Sequence, residues 1–459
     1  MEYFFDLEHI HKIHFIGIGG ISMSALAKLC HNNGMIVSGS DRVSSEITDE
    51  LENIGIKIYI GHDKNNIHNI DAVCYTIAVG KNNAELVEAQ RKNIVIFERA
   101  DLLKQISYNY KHVIAVSGTH GKTTTCGMIA SIFISANKNP TIHIGGDCET
   151  VGGNLRIGGK EFFITEACEF KKHLLKIPHE VGVVLNIEAD HPDSYADIND
   201  LHDTFDRFCG MSSEVNIVGE NYVSLLKNRC KYNVKTFSKG IGGNYFAKNI
   251  RQFKSGKITF DCYKNGEFFS KFCLNEFGKH NVFNALASIA VADYYNISKL
   301  AMFEGLKNFS GVKRRFRFVG KINNSIVIED YAHHPTEIKA VIDCARELFD
   351  KKIVVVFQPH TYSRTKSLFG EFLKCFDDAN QTYILPTYSA REKPIKNASG
   401  KFLAKALTFK QKNCKYVASF GAMKKILKTM QNDVILLVGA GDIEGLCKAI
   451  KKDYLKKIK

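Results

Sequence analysis

Three times along this 459-residue chain, a run of apolar and largely β-branched residues stops abruptly at a glycine-rich turn. The first run, 12–17, ends in Gly17-Ile18-Gly19-Gly20. The second, 113–116, meets the turn that contains Gly118 and Gly121, and the third, 434–438, ends in Gly439-Ala440-Gly441-Asp442. After the first two turns a helical stretch follows, the order in which a parallel strand feeds its crossover helix. Further strand candidates at 35–37, 56–60, 72–76 and 94–97 accompany the first unit. Those at 161–166 and 181–186, with a helix over 281–295, accompany the second, and those at 325–330, 352–357 and 381–385 the third. Short strands and turns alternate over 215–275. The pattern predicts an α/β protein of three domains: a Rossmann-like N-terminal domain over 1–108, a central P-loop ATPase-like domain with a mainly parallel sheet over 109–315, and a Rossmann-like C-terminal domain over 316–459.

Composition narrows the class. A hydrophobic content of 45% with 24% charged residues belongs to ordinary globular chains, and no 18-residue apolar stretch is present to span a bilayer. The start, Met1-Glu2-Tyr3-Phe4-Phe5-Asp6, lacks the basic-then-apolar layout of a signal peptide. Thirteen scattered cysteines contain no C-x-x-C pair, which speaks against a cysteine zinc site or a disulfide framework. Reduced thiols and a cytoplasmic location are the expectation. The net charge of +14 is spread along the chain without an Arg-rich or aromatic-interleaved tract. It fits anionic small substrates better than nucleic acid.

The second turn has the most specific chemistry. In Ser117-Gly118-Thr119-His120-Gly121-Lys122-Thr123-Thr124, two glycines let backbone N–H groups approach phosphate oxygens at a helix N-terminus. Lys122 can neutralise the β/γ-phosphates, and the Thr123 hydroxyl can hold Mg²⁺. Val116 stands where the longer phosphate-loop pattern has its first glycine. ATP is the expected ligand. In the first turn, Ser22 occupies the sixth position of G-x-G-x-x-G, so the dinucleotide fingerprint fails there and a tight turn explains it almost as well.

Polar clusters follow other apolar runs. Glu166 and Glu169 end one strand, where a carboxylate would hold Mg²⁺. Asn186-Ile187-Glu188-Ala189-Asp190-His191 follows another, and His191 is a candidate ligand for a second metal. Asn281 and Asn284 share one face of a helix start, where local capping is the plain alternative. Lys313-Arg314-Arg315 lies at the second domain boundary. Two histidine-rich segments, Glu329-Asp330-Tyr331-Ala332-His333-His334-Pro335 and Gln358-Pro359-His360-Thr361-Tyr362-Ser363-Arg364, follow neighbouring strands of the third unit and should share one crevice. Ser389-Ala390-Arg391-Glu392-Lys393 joins them. A carboxylate-bearing substrate and phosphoryl charge suit that crevice.

The order and wording of these pieces resemble the Mur ligase family over nearly the whole chain. The resemblance rests on HFIGIGGISMSALA (14–27), SGSD (38–41), SGTHGKTTT (117–125), TEACE (165–169), NIEADH (186–191), GKHNVFNALA (278–287), EDYAHHPTE (329–337) and FQPHTYSRT (357–365). It implies ATP- and Mg²⁺-dependent amide ligation through an acyl phosphate. The GIGGISMS wording points to the branch that adds L-alanine to the lactyl carboxylate of UDP-N-acetylmuramate, with no obligate protein partner. Carried over by motif, Gly118, Thr119, His120, Gly121, Lys122, Thr123 and Thr124 cradle ATP, with Asn281, Asn284, Arg315 and Asp330 as further ATP contacts. Thr123 and Glu166 hold one Mg²⁺ and His191 the other. Lys122, His191, His334 and Arg364 act on the transferring group. Gly17, Gly19, Gly20, Ser22, Asp41 and His62 serve the nucleotide sugar, and His333, His360 and Arg391 the amino-acid side.

The sequence departs from the family's wording at Ile21, where many relatives carry Gly, and at Thr361, where many carry Arg. No lysine after His191 matches the carbamylated lysine of sibling ligases. A muropeptide-recycling ligase shares most of these motifs. Outside the family, a dehydrogenase leaves GTHGKTTT without a role, and a nucleic-acid-stimulated ATPase leaves both histidine-rich segments unexplained.

Overall fold

The computed structural model describes residues 9–226, 233–410 and 413–458. The acidic start, Met1–Asp6, therefore lies outside the described residues. Three sheets follow one another along the chain. The first has five parallel strands, in the order Lys57–Ile60, Ile36–Asp41, Lys12–Ile16, Ala72–Tyr75 and Val95–Glu98. The strand order reverses beside Lys12–Ile16, so the crevice above its C-terminal end is where such sheets take ligands. The Ile36–Asp41 strand runs on through Ser38-Gly39-Ser40-Asp41, beyond the 35–37 strand expected from sequence. Gly39 is needed for close approach rather than for turning: a Cβ there would lie 2.4 Å from the Ile18 side chain.

The second sheet has ten strands. At its centre, His112–Ser117 lies between His179–Val184 and Phe162–Glu166, all parallel. One end closes in an antiparallel meander, Tyr245–Gln252, Ile258–Lys264 and Glu267–Leu274. Thr141–Cys148, a strand the sequence reading passes over, pairs with Phe162–Glu166 at the other end. The helix Lys122–Ser135 leaves the phosphate loop and packs on this sheet beside the helix His280–Tyr294, with Met128, Ile129, Ile132 and Phe133 fully buried. The third sheet runs Arg317–Ile322, Ser325–Asp330, Val434–Val438, Ile353–Phe357, Gln381–Ile384 and Cys414–Tyr416. Its first two strands form a hairpin whose two turn residues, Asn323 and Asn324, have φ of 44° and 64°. Asparagine tolerates that left-handed geometry, which matches the twist of the hairpin.

The two junctions between sheets differ in kind. One apolar core runs from the first sheet (Phe15) and its helix Ile21–Asn32 (Leu26) through the helix Arg99–Ser107 (Leu102, Leu103, Ile106) to one face of the second sheet (Val113, Ala115, Phe163) and the helix Ile198–Met211 (Phe205). The third sheet keeps its own cores on its two faces, around Ile338, Phe357 and Phe376 and around Val356, Leu437 and Leu446. Its seam with the second sheet is lined by charged side chains. Apolar burial welds the first pair of units, while a polar junction permits relative motion. Among the described residues no helix is long and apolar enough to cross a membrane, and all described cysteines are free thiols.

The junction leading into the third sheet holds a buried acid. Glu276 sits 3.8 Å from the Arg317 guanidinium and against Gly311. Burial pushes its carboxyl up from 4.5 to about 7, with Arg317 opposing. A raised folded-state value means that the folded chain keeps a proton the unfolded chain has shed. Its contribution is therefore present below about pH 4.5 and lost as pH rises through about 7. Glu276→Gln is expected to raise stability at pH 8 by up to about 3 kcal/mol and to change little at pH 4. Thermal melts of both proteins at the two pH values measure this, and an equal shift at both would contradict it.

Candidate active site

The phosphate loop begins where the buried strand His112–Ser117 ends. Gly118 and Gly121 take φ of +136° and +86°, which a side-chain-bearing residue adopts only with strain. Gly121 is also pressed from outside: a Cβ there would lie 2.7 Å from Asn284 Oδ1. Asn186, just past a neighbouring strand, clamps the loop by accepting from His120 N at 2.7 Å and donating to His120 O at 3.0 Å. Thr119 is fixed similarly, its hydroxyl donating to Glu188 O and accepting from Glu188 N. Thr123 and Thr124 open the helix, whose N-terminus makes no side-chain cap bond and leaves its first N–H groups toward the loop. Asn281 and Asn284 are not caps. Asn281 donates to Phe277 O at 2.8 Å and accepts from Asn284 at 3.0 Å, so the pair braces the loop from the helix His280–Tyr294.

Lys122 is the charge at the centre. Its ammonium lies 2.8 Å from Glu169 Oε2 and donates to the carbonyls of Gly118 and Thr119. Burial opposes its charge, but Glu169 outweighs that and holds the lysine protonated. Glu169 is held down to about 2, against its own burial, by Lys122 and His191. The His191 ring stands 3.4 Å from Glu169 Oε1, and its φ is +53°. The structure thus joins His191 to Glu169 rather than to Glu166. Glu166 accepts from Gly145 N at 2.6 Å through Oε1, leaving Oε2 without a partner among the described residues. An oxygen-rich donor set of this kind fits a hard divalent cation.

Across the seam lie residues of the third sheet. Arg364, 5% exposed, grips the Asp190 carboxylate with two bonds, Nε–Oδ1 at 2.7 Å and Nη2–Oδ2 at 3.2 Å. Burial opposes the Asp190 charge, yet Arg364 holds it far below the usual carboxylate range. Arg364 also bonds His360 Nδ1 at 3.0 Å. Burial pushes the His360 imidazole down to about 4 and that of His333 to about 3, so both rings are neutral at pH 7. His334 caps the helix Pro335–Leu348 and donates from Nε2 to Ala189 O at 3.2 Å. Thr361 begins its helix at φ +67°, a costly position for a β-branched residue and one that recurs at functional loops. Arg391 is exposed at the rim, while its neighbour Glu392 accepts from the N–H groups of Tyr362 and Ser363 at the start of that helix.

The basic run at 313–315 is divided among separate tasks. Lys313 pairs with Asp147 at the surface, and Arg314 with Glu444. Arg315 faces inward to Glu337 at 3.5 Å. The Asp330 carboxylate accepts from Phe316 N and Ala332 N at 2.8 and 2.7 Å, so it organises the backbone at the junction. The third glycine turn is not a second phosphate loop. The Gln358 side chain fills it, accepting from Ile443 N and donating to Asp442, and a Cβ on Gly441 would lie 2.6 Å from Gln358 Oε1.

In the first unit, Asp41 holds the glycine turn by accepting from Gly19 N at 2.8 Å. Gly17 has φ +82°, and Gly20 begins the helix Ile21–Asn32. His62 is oriented by Glu85 at 2.8 Å. Glu85 is fully buried and also takes bonds from Ser40, Asn66 and His14. Ser22 is shared between units, accepting from Arg99 Nη1 at 3.1 Å and meeting His143 Nε2 at 2.9 Å. Among the described residues no carboxylate lies within ion-pairing distance of Arg99, although it stands at the glycine turn. Sequence reasoning missed Glu85, Arg99 and Glu337. A lone acid inside one helix and a lone arginine after a strand carry no local signal, whereas Glu337 follows the His-His-Pro segment at capping-box spacing.

A phosphate loop with a buried lysine, faced across a polar seam by a buried arginine, defines an enzyme class that handles a nucleoside triphosphate between two domains. The chain belongs to the Mur ligase family. Residues 12–111 match the family's model described as "Mur ligase family, catalytic domain", 116–292 the Mur ligase middle domain and 314–441 the "Mur ligase, glutamate ligase domain". It is 44% identical over 449 residues to a UDP-N-acetylmuramate–L-alanine ligase of Clostridium beijerinckii, covering 96% of this chain and 98% of that one. A protein of the same name from Clostridium perfringens is 43% identical over 94% of this chain and 96% of its own length. The crystal structure of the UDP-N-acetylmuramate-alanine ligase of Thermotoga maritima superposes with a TM-score of 0.83 at 30% identity, covering 98% of this chain and all of that one. A murein peptide ligase of Psychrobacter arcticus shares the fold, with a TM-score of 0.69 at 23% identity over 96% of this chain and 98% of its own.

Proposed function

We propose that this protein joins L-alanine to the lactyl carboxylate of UDP-N-acetylmuramate at the expense of ATP, an early step of peptidoglycan precursor synthesis. The observation that carries the reading is the Lys122–Glu169–His191 cluster facing Asp190–Arg364 across a polar seam. The names of full-length relatives at 43–44% identity support the two substrates. The domains assigned from sequence, 1–108, 109–315 and 316–459, then divide the work into nucleotide-sugar binding, ATP binding and amino-acid binding.

In this reading a carboxylate oxygen of the lactyl group attacks the γ-phosphorus, forming an acyl phosphate as the bond to ADP breaks. The alanine amine adds to the acyl carbon, loses a proton, and the tetrahedral intermediate collapses with release of inorganic phosphate. Little covalent work falls to the protein, so positioning and charge neutralisation dominate. Lys122 meets the developing charge from the loop side. Arg364 supplies a guanidinium from the third sheet once the seam closes. His360 and His333, neutral at pH 7, would line the amino-acid side of the seam. Thr123 and Glu166 would hold one Mg²⁺, with His191 and Glu169 toward a second. When bound, such ions neutralise phosphate oxygens.

Arg99 fits the diphosphate or carboxylate of the nucleotide sugar, since it lies on the Ser22 hydroxyl at the glycine turn without an acidic partner of its own. Arg99→Ala is expected to raise KM for the nucleotide sugar about 10- to 100-fold, the loss of one charge-assisted pair, with KM for ATP unchanged. Initial rates at varied concentrations of each substrate measure this, and an equal rise in both values would point to a structural role instead.

Phosphate release from Mg²⁺-ATP tests the main reading. Turnover that requires both UDP-N-acetylmuramate and L-alanine supports it. Turnover with the nucleotide sugar and a peptide, but not with alanine, would move the chain to the muropeptide-recycling branch. ATP turnover needing neither would overturn the ligase reading.

A further inference from the structure

At the seam, beside the Lys122–Glu169–His191 cluster, stands a second group of titratable side chains. His120, from the phosphate loop, and Glu188, from the loop after His179–Val184, belong to the second sheet's unit, and His334 belongs to the third. Glu188 Oε2 lies 3.5 Å from His120 Nε2 and 3.8 Å from His334 Nδ1. All three donor atoms fall within 4.8 Å of one another. Ligand atoms held about 2.0–2.2 Å from a tetrahedral ion stand about 3.4 Å apart, so the cluster needs only a small contraction to close on one.

The outer nitrogens are arranged as metal-bound histidines usually are. His120 Nδ1 faces Glu337 Oε1 at 3.1 Å, which orients the ring with Nε2 toward the cluster. That Nε2 is buried and has no hydrogen-bond partner. His334 donates from Nε2 to Ala189 O, so Nδ1 is its unprotonated nitrogen, and an ion there would replace the helix-cap bond that Nδ1 accepts from Thr336 N. Thr336 contacts this group as well, its N–H reaching His334 Nδ1 at 3.3 Å and its hydroxyl donating to Glu188 Oε2 at 2.7 Å. A carboxylate oxygen has further lone pairs, so the hydroxyl bond can persist alongside a metal ligand.

We propose that His120, Glu188 and His334 form a binding site for a borderline divalent ion of the Zn²⁺ class, separate from the Mg²⁺ positions, and that an ion there staples the second and third units together. Two imidazoles and one carboxylate select Zn²⁺, Ni²⁺ or Co²⁺ over Mg²⁺, which prefers all-oxygen shells. Two ligands come from one side of the polar seam and one from the other, so binding is favoured only when the seam is closed. The bound ion opposes opening and with it nucleotide exchange.

The test uses the full-length, nucleotide-free protein in buffer containing millimolar-scale Mg²⁺, titrated with Zn²⁺ against a chromophoric chelator. One equivalent is expected to bind, and His120→Asn and His334→Asn are each expected to weaken it about 100-fold or more, while His191→Asn leaves it unchanged. Asparagine at 334 keeps a helix-capping side chain. Should either variant fail to fold, Glu337→Gln is expected to weaken binding about 10- to 100-fold by loosening His120. The Co²⁺-loaded protein should show a visible spectrum without thiolate charge transfer. Absence of Zn²⁺ binding, loss of it in His191→Asn but not in His120→Asn, or a thiolate band would each overturn the proposal.

Discussion

Lys122→Ala is expected to reduce ATP-dependent phosphoryl transfer by about 10³-fold or more while leaving the nucleotide sugar bound with affinity within about twofold of the parent protein. The ammonium is held within the loop turn itself, ion-paired to Glu169 and bonded to two loop carbonyls. Without it, Glu169 becomes a buried carboxylate facing only His191. Removing one member of a buried pair leaves the other's desolvation uncompensated, so some stability is lost as well. Single-turnover phosphate release measures the first effect, and calorimetric binding of UDP-N-acetylmuramate the second. The glycine turn, Asp41 and His62 lie on a different sheet, so joint loss of both activities in a folded variant would contradict this layout.

Arg364→Ala should have the next largest effect, lowering kcat by about 10²–10³-fold and loosening the seam. Arg364 and Asp190 are 5% and 4% exposed, and the guanidinium holds both carboxylate oxygens. Breaking a pair this buried costs about 3–5 kcal/mol where the remaining charge stays buried. A polar seam offers an escape that a core does not: the third unit can swing away and let water reach Asp190. The expected result is therefore an opened molecule with nearly unchanged thermal stability. Small-angle scattering should show a larger radius of gyration for the variant, and Arg364→Lys should recover little, because an ammonium cannot span both oxygens. An unchanged scattering profile combined with a large drop in melting temperature would place Arg364 in a static core instead.

Much of the fold is legible along the chain because parallel strands buried on both faces read as short apolar runs. The strands at 12–16, 112–117, 162–166, 325–330, 353–357 and 434–438 all appear within a residue or two of where that pattern puts them. Elements whose burial is one-sided or comes from distant partners are harder to see. Thr141–Cys148 carries two glycines and an acid, and Arg317–Ile322, a hairpin edge, buries only the adjacent Val319 and Gly320. The turn at Gly439 looks like a phosphate loop because both begin with a strand and glycines. A side chain from another strand, Gln358, fills it, and no local pattern announces that.

The candidate site divides along the same line. Local chemistry determined that this chain carries a phosphate loop, because a lysine, a hydroxyl and two glycines have meaning only at the spacing in which they occur. It also determined which strand ends bear polar clusters. Which carboxylate serves which cation was decided by tertiary structure: Glu169 rather than Glu166 turned to Lys122 and His191, and Asp190 met an arginine 174 positions away. So was the contrast between an apolar weld and a charged seam, which makes one junction rigid and the other able to open. Sequence motifs record the groups a reaction needs, but Coulomb and hydrogen-bond energies fall off over a few ångströms, and only the packed chain sets those distances.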